Sequence, residues 1–363
     1  MLKKASTLIQ IVPQMPPIIC GVGDYAVNLA KQLRDSFGID SRFVVCNPDW
    51  RLGKVETDYI FTVLTKRSWR KLLAVLTDYS KENAIVILHY VGYGYAKRGC
   101  PIWLLKGILY WRNKFPNIRL GIVFHEVYAC DYPWRSSFWL SPLSKHIAAG
   151  LFSISDFCFT TTQTYADKLH KLDSNKQDRI NVLPVFSNVK EPASSSLLSK
   201  RKQHLVIFGK DSNRSLVYNN CLDILKIICI QLKIEEIHDI GAPINRNFPK
   251  IEGVPIIEHG PLSSKAIGEF LSGVLAGVLT ISPGSSLAKS SVFASYCAHR
   301  VIPIVVTLNQ SVKDGLFPGK HYWLPSEDGS FSLEEGQLQA DNAYDWYQNH
   351  CLSAHARAFV ESF

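Results

Sequence analysis

At 363 residues, 47% of them apolar and 20% charged, the chain holds more hydrophobic material than one core usually gathers, so two globular domains are expected and disorder is excluded. Its 22 glycines and 18 prolines are near average usage, and no repeat recurs at solenoid or propeller periods, which sets aside fibrous, low-complexity and repeat architectures. The apolar start is broken by Gln10 and Pro13, and no uninterrupted run of about 18 apolar residues occurs, so neither an export signal nor a membrane span is expected and the protein is read as cytoplasmic.

The first predicted strand covers residues 8–12. Short runs that are apolar on both faces follow at 42–46, 84–90, 119–124, 157–161 and 181–185, separated by helix-like stretches such as 24–36 and 69–79. Strands of this kind, alternating with helices, predict a parallel sheet covered on both sides, a Rossmann-like domain over residues 1–186. Residues 187–204 are polar, serine-rich and charged, and are expected to form an interdomain linker with nothing to bury. Strands at 204–208, 236–240, 255–258, 277–281 and 302–306, with helices at 222–232 and 290–298, predict a second Rossmann-like domain over 205–341. The last segment, 342–363, spaces Tyr344, Trp346, Tyr347, Cys351 and Leu352 as one amphipathic helix expected to pack back on the first domain.

Charge and thiols narrow the partners. Residues 65–119 carry 11 Lys/Arg against Asp78 and Glu82, a surplus that equals the whole chain's net charge of +9. Within that patch Trp69, Leu72, Leu73 and Leu76 form one helical stripe beside Lys66, Arg67, Arg70 and Lys71, and Trp103, Leu104, Gly107, Ile108 and Trp111 form another beside Lys106, Arg112 and Lys114. Two readings stand: the stripes cover the sheet, or they offer a peripheral contact with an anionic membrane. No base-reading or aromatic stacking module accompanies the patch, so no nucleic acid partner is expected. Nine cysteines, mostly in apolar runs and with no Cys-x-x-Cys pair, read as reduced thiols used as small hydrophobes.

Candidate sites fall at predicted strand ends. After the first strand, Gly21, Gly23 and Asp24 form a glycine loop opening a helix, where unpaired N–H groups suit phosphate or sugar hydroxyls. A dinucleotide fingerprint needs a glycine where Ala26 stands, and Asp24 would oppose a pyrophosphate. His89 closes one strand, and His125 and Glu126 follow another, all expected to face the ligand crevice. In the second half Lys210 and Arg214 follow a buried strand as candidate diphosphate ligands. Lys289 precedes a helix that Ser290 or Ser291 caps, a combination of charge, dipole and free N–H groups. The 11 histidines lack His-x-x-x-His spacing and no Asp-x-Asp occurs, so no metal site is expected.

Taken in order, CGVGDYAVNLA, the strand into FHE, DFCFTTT, NVLPVFSNV, the FG strand and LAKSSVFASYCAHRVIPIV resemble the retaining GT-B glycosyltransferases over most of the chain. The resemblance implies an α/β fold of two Rossmann-like domains facing each other across a cleft. It matches Gly21 and Gly23 to the loop near donor diphosphate and acceptor, and His125 to the histidine touching the transferred sugar. Lys210 or Arg214, with Lys289 and Ser290, would then hold the nucleotide sugar. Typical members place two glutamates eight positions apart where this chain has Ser286 and Ala294, and His299-Arg300 stands where a small residue is usual. The expected function is transfer of a sugar from a nucleotide-sugar donor to a sugar or lipid-linked acceptor, without metal or cofactor. The alternatives are a silent scaffold that binds a sugar, nucleotide or partner protein, and a nucleotide-sugar epimerase.

Overall fold

The computed structural model describes residues 7–18, 20–52, 58–80, 84–128, 136–244, 248, 250–251, 253–281, 285–306, 313–326 and 329–363. The chain divides into two compact units, one formed by Met1–Pro184 with His355–Phe363 and the other by Val185–Ala354. They are called unit 1 and unit 2 below.

Unit 1 is built on seven strands, β1 Thr7–Val12, β2 Asp40–Val45, β3 Ile60–Val63, β4 Ala84–Tyr90, β5 Leu120–Phe124, β6 Phe157–Thr160 and β7 Ile180–Val182. They lie in the order β3-β2-β1-β4-β5-β6-β7, every pair parallel. β1 and β4 are buried along their whole length, which is why both read as continuous apolar runs rather than alternating ones. β3, half-exposed at the edge, is the strand the sequence pattern passes over.

The basic segment resolves into the helices Trp69–Tyr79 and Ile102–Lys114. Leu72 and Leu76 of the first, and Leu104, Ile108 and Trp111 of the second, lie in the core of unit 1, so the apolar stripes cover the sheet. Arg67 and Arg112 are half-buried, donating to the Gly94 carbonyl and pairing with Asp156, while Arg70 and Lys106 stay exposed, 4.6 and 4.9 Å from the Trp69 ring, itself stacked on Tyr110.

Unit 2 holds five strands, β8 Lys202–Phe208, β9 Glu236–Ile240, β10 Ile256–Gly260, β11 Val274–Leu279 and β12 Ile302–Val305. Their order is β10-β9-β8-β11-β12, again parallel throughout. Each sheet therefore reverses its winding once, between β1 and β4 in unit 1 and between β8 and β11 in unit 2, and open α/β sheets bind ligands beyond the strand carboxyl ends at such points.

Two expectations are corrected. The segment 187–204 is packed rather than solvated: Val189, Leu198 and Arg201 are buried, the Ser187 Oγ bonds Ser295, and the Arg201 guanidinium donates to the carbonyls of Ser196, Val274 and His299. The last segment is two helices, Leu333–Gln348 and Leu352–Glu361. The first begins well before residue 342, at a capping box in which Ser332 accepts from the Glu335 N–H and the Glu335 carboxylate accepts from the Ser332 N–H. The second carries His355–Phe363 into unit 1, where Phe359 stacks on Phe159 with ring centroids 4.1 Å apart.

Candidate functional site

In unit 1 the reversal point is occupied by one helix start and two histidines. The helix Gly21–Phe37 takes the expected glycine loop into its first turn, a correction with a steric cause. A Cβ on Gly23 would lie 2.5 Å from the Gln14 carbonyl oxygen and 3.1 Å from the Met15 Cα, so only glycine lets the helix begin this close to the chain leaving β1. Gly21 is exposed, with open space where its Cβ would stand. Asp24, also in the first turn, is half-buried, and burial raises its carboxyl to about 6 against the opposing pull of the Cys20 backbone hydrogen bond.

His89 is fully buried at the end of β4. The Gln10 amide nitrogen donates to Ser41 Oγ at 2.9 Å, so its oxygen faces His89 Nε2 at 2.7 Å and accepts that N–H. His89 Nδ1 is then an acceptor, and His125 Nε2 lies 3.2 Å from it. Burial first, and His125 second, hold His89 well below the ordinary imidazole range, so it acts as a neutral brace that sets the His125 ring. His125, half-buried, is the member of the pair nearer the surface.

Two residues that sequence reasoning did not single out complete this cluster. The Tyr25 ring packs edge-on against His125, His89 and His355, with centroids 5.0, 5.8 and 5.6 Å away. His355 Nε2 lies 2.9 Å from the Pro184 carbonyl, to which it must donate, so His355 Nδ1 accepts from the Tyr25 hydroxyl at 2.8 Å. Burial lowers His355 to about 4, so His355, like His89, is uncharged at neutral pH. Glu126 does not join it. Its side chain lines a recess with Tyr90, Arg98, Cys100, Tyr128 and Ser144, because consecutive residues leaving a strand point to opposite sides.

In unit 2 two helix starts meet at the reversal point. Gly209, at φ 120°, ends β8, and Lys210 is the N-cap of the helix Asp211–Asn220. Ser290 rather than Ser291 caps the helix Ser291–Ala298, its Oγ accepting from the Phe293 N–H at 3.1 Å. A Cβ on Gly209 would lie 3.1 Å from Val292, so the two starts abut, with exposed Lys210 on one and half-buried Lys289 before the other. Helix N-termini favour negative charge by their dipoles and N–H groups, and a nearby lysine adds to that. The stretch Ser282–Gly284 ahead of Lys289 lies outside the described residues.

Arg214 is corrected. It is 1% exposed, its guanidinium paired with the Asp239 carboxylate and donating to the carbonyls of Gly209 and Ala242, while Tyr218 donates to the other Asp239 oxygen at 2.9 Å. It is a brace under the two helix starts and not a ligand. The residues at the two glutamate positions supply no carboxylate: Ala294 is buried, and Ser286 caps the turn before Lys289. Asp314, however, accepts a hydrogen bond from the Ser286 hydroxyl, which brings a carboxylate to that turn from farther along the chain. β8 and β9 also bring His204, Glu236 and His238 together, their candidate ligand atoms within 4.8 Å of one another.

No protein-family model matches the chain, and a search of curated proteins finds no match. Among solved structures, TarM superposes with a TM-score of 0.64 at 8% identity over 98% of both chains. An α-glucosyltransferase in complex with UDP-glucose and DNA gives 0.55 at 11% over 98% of both. The lipopolysaccharide outer core galactosyltransferase WaaB gives 0.55 at 11%, also over 98% of both. The UDP-GlcNAc 2-epimerase of Neisseria meningitidis gives 0.52 at 10%, over 98% of this chain and 99% of that one. With its two parallel sheets, the chain has the GT-B fold in a divergent form.

Proposed function

We propose that the protein is a glycosyltransferase that moves a hexosyl group from a nucleotide sugar to the hydroxyl of a sugar or lipid-linked acceptor. The observation that carries this reading is the contrast between the two reversal points, paired helix starts with lysines at Gly209–Lys210 and Lys289–Ser291 in unit 2 and a hydrogen-bonding cluster at Tyr25, His89 and His125 in unit 1. In the reaction the bond between the sugar's anomeric carbon and the diphosphate oxygen breaks, the acceptor oxygen bonds that carbon, and the acceptor proton is lost as nucleoside diphosphate leaves. Lys289, Lys210 and the N–H groups of the two helix starts stabilise the charge growing on the departing diphosphate. His125 hydrogen-bonds a hydroxyl of the transferred sugar, and His89 positions it. The Asp314 carboxylate takes the donor-side role that Ser286 and Ala294 leave open.

The likeness to glycosyltransferases of this fold supports the donor class. Nothing in the proposed steps calls on a metal ion, so transfer is expected to continue in the presence of a chelator. The outer cations of 65–119, with Tyr110 and Ile102 exposed among them, support peripheral contact with anionic lipid, each cation adding about 1 kcal/mol near the surface. Among the described residues no helix is long and apolar enough to cross a membrane. Co-sedimentation with anionic but not neutral vesicles checks that contact.

Epimerases share the fold, so a second reading, epimerisation of the bound nucleotide sugar, is kept. One experiment separates the readings: the protein is titrated with UDP, GDP and ADP and their sugar conjugates while thermal stability and nucleotide release are followed. A ligand at a hundred times its Kd adds about 2.7 kcal/mol, and one base series is expected to stand out. Release of nucleoside diphosphate only with an acceptor supports transfer, and an epimerised sugar without acceptor supports the second reading. Binding with neither product, or no binding at millimolar concentration, removes both enzyme readings and leaves the silent scaffold.

A further inference from the structure

We propose that His204, Glu236 and His238 bind a divalent transition-metal ion of the zinc class, with His259 orienting His238. The site is independent of the sugar chemistry. It lies on one face of the unit 2 sheet, where Glu236 pairs in register with His204 and His238 with Val206 and Ile257. Side chains two apart on a strand share a face, so Glu236-x-His238 presents a carboxylate and an imidazole together, and β8 adds a second imidazole beside the carboxylate.

The spacing suits coordination. Tetrahedral zinc with bonds of about 2.0–2.1 Å sets its donor atoms roughly 3.3 Å apart. Glu236 Oε2 is 3.2 Å from His238 Nε2 and 3.4 Å from His204 Nε2, while His204 Nδ1 is 2.9 Å from His238 Nε2, so a small turn of the His204 ring selects its ligand atom. All the donor atoms lie within 4.8 Å of one another. Among the described residues no other three His, Cys, Asp or Glu side chains are close enough to share an ion.

A bound imidazole needs its second nitrogen held. His238 Nδ1 is 2.8 Å from His259 Nε2, and Phe270 packs edge-on against both rings at 4.7 and 5.3 Å, which fixes the ring that is buried while His204 and Glu236 reach solvent at 12% and 36% exposure. Three protein ligands and one solvent-facing position give the half-open set that zinc takes with a water. Such an ion would tie β8 to β9, with β10 joined through His259, and stabilise unit 2 without touching Lys210 or Lys289 at the far ends of their strands.

The test uses tag-free full-length protein, stripped with a chelator, dialysed and titrated with Zn(II) and separately with Co(II). One equivalent of zinc is expected to bind, raising Tm by about 5 °C or more at a hundredfold excess over Kd. Cobalt is expected to give visible ligand-field bands of tetrahedral intensity. Glu236→Gln and His204→Asn, both at solvent-reached positions and checked for folding by circular dichroism, are expected to weaken zinc at least tenfold, and His146→Ala, on the surface of unit 1, to leave it unchanged. No zinc bound at micromolar concentration, cobalt bands of octahedral weakness, or unaltered binding in both ligand variants overturns the proposal. Sugar transfer, read in the same samples at 25 °C, is expected to be indifferent to the chelator, so loss of transfer would count against the metal-free reaction and not against this site.

Discussion

The two units solve the same topological problem with opposite electrostatics. Both reverse their sheet order between two central strands and start a helix there, yet unit 1 fills the point with buried imidazoles, a phenol and a carboxyl, while unit 2 uses paired helix starts and lysines. The difference teaches that fold alone does not decide what a reversal point binds. His89 and His355, both buried, spend their two ring nitrogens inside the cluster and brace His125 and Tyr25, whereas unit 2 places Lys210 and Lys289 at its helix starts. In each unit the side chains that hold this arrangement are themselves buried, as His89 is behind His125 and Arg214 beneath the Gly209 turn.

The largest expected effect breaks the unit 2 side of the comparison. Arg214→Ala leaves Asp239 buried without its cation and is expected to destabilise the protein by about 3–5 kcal/mol, measured by urea unfolding. Lys210→Ala, exposed and close in sequence, should change stability by less than about 0.5 kcal/mol. Equal effects would return Arg214 to the role of a surface ligand.

Next in size is the catalytic contrast. Lys289→Ala is expected to slow transfer by a factor corresponding to about 2.7–4 kcal/mol of barrier and to weaken nucleoside diphosphate binding. His125→Ala should leave nucleoside diphosphate affinity unchanged and cost about 0.5–1.5 kcal/mol in sugar recognition, one net hydrogen bond. Nucleotide titrations and steady-state kinetics of the two variants check this, and the comparison fails if both lose affinity for the free diphosphate.

The smallest effect sharpens the unit 1 side. Asp24 keeps its proton up to about pH 6 when folded but only to its ordinary value of 3.8 when unfolded. The stability this group contributes is therefore present below pH 3.8 and lost as pH rises through 6. Asp24→Asn, which imitates the protonated form, is expected to be more stable than the parent at pH 8 by about 1–2 kcal/mol, a figure reduced for solvent screening of a half-buried group. The gain should vanish near pH 3.5, and a pH-independent offset in thermal unfolding would dismiss the ionisation.

The sequence revealed the fold where burial was two-sided. β4 and β9, apolar or enclosed on both faces, are legible almost to the residue, and so is the helix Trp69–Tyr79, whose Leu72 and Leu76 recur at helical spacing. The edge strand β3 was not, because a half-exposed four-residue run carries little periodicity. The positions of His125 after β5 and of Lys289 before a serine-capped helix could be read from strand ends and capping chemistry, though not which of Ser290 and Ser291 is the cap. Tyr25, His355 and Asp314 could not, since each meets its partner across a long stretch of sequence that no local spacing encodes. Arg214 misled for a related reason: a cation after a strand looks exposed until Asp239, one strand over, is known to face it. His204, Glu236 and His238 escape a helical His-x-x-x-His pattern because Glu236-x-His238 is a strand spacing and His204 comes from the neighbouring strand.

The helix that carries His355–Phe363 has a consequence in time as well as in space. Unit 1 is discontinuous in sequence, and all of unit 2, Val185–Ala354, is synthesised between its two parts. At about 5–20 residues per second, a ribosome spends on the order of ten seconds or more on that interval, during which Tyr25 has no His355 to bond and Phe159 no Phe359 to stack on. The cluster around Tyr25 is thus among the last parts of the nascent chain to be completed.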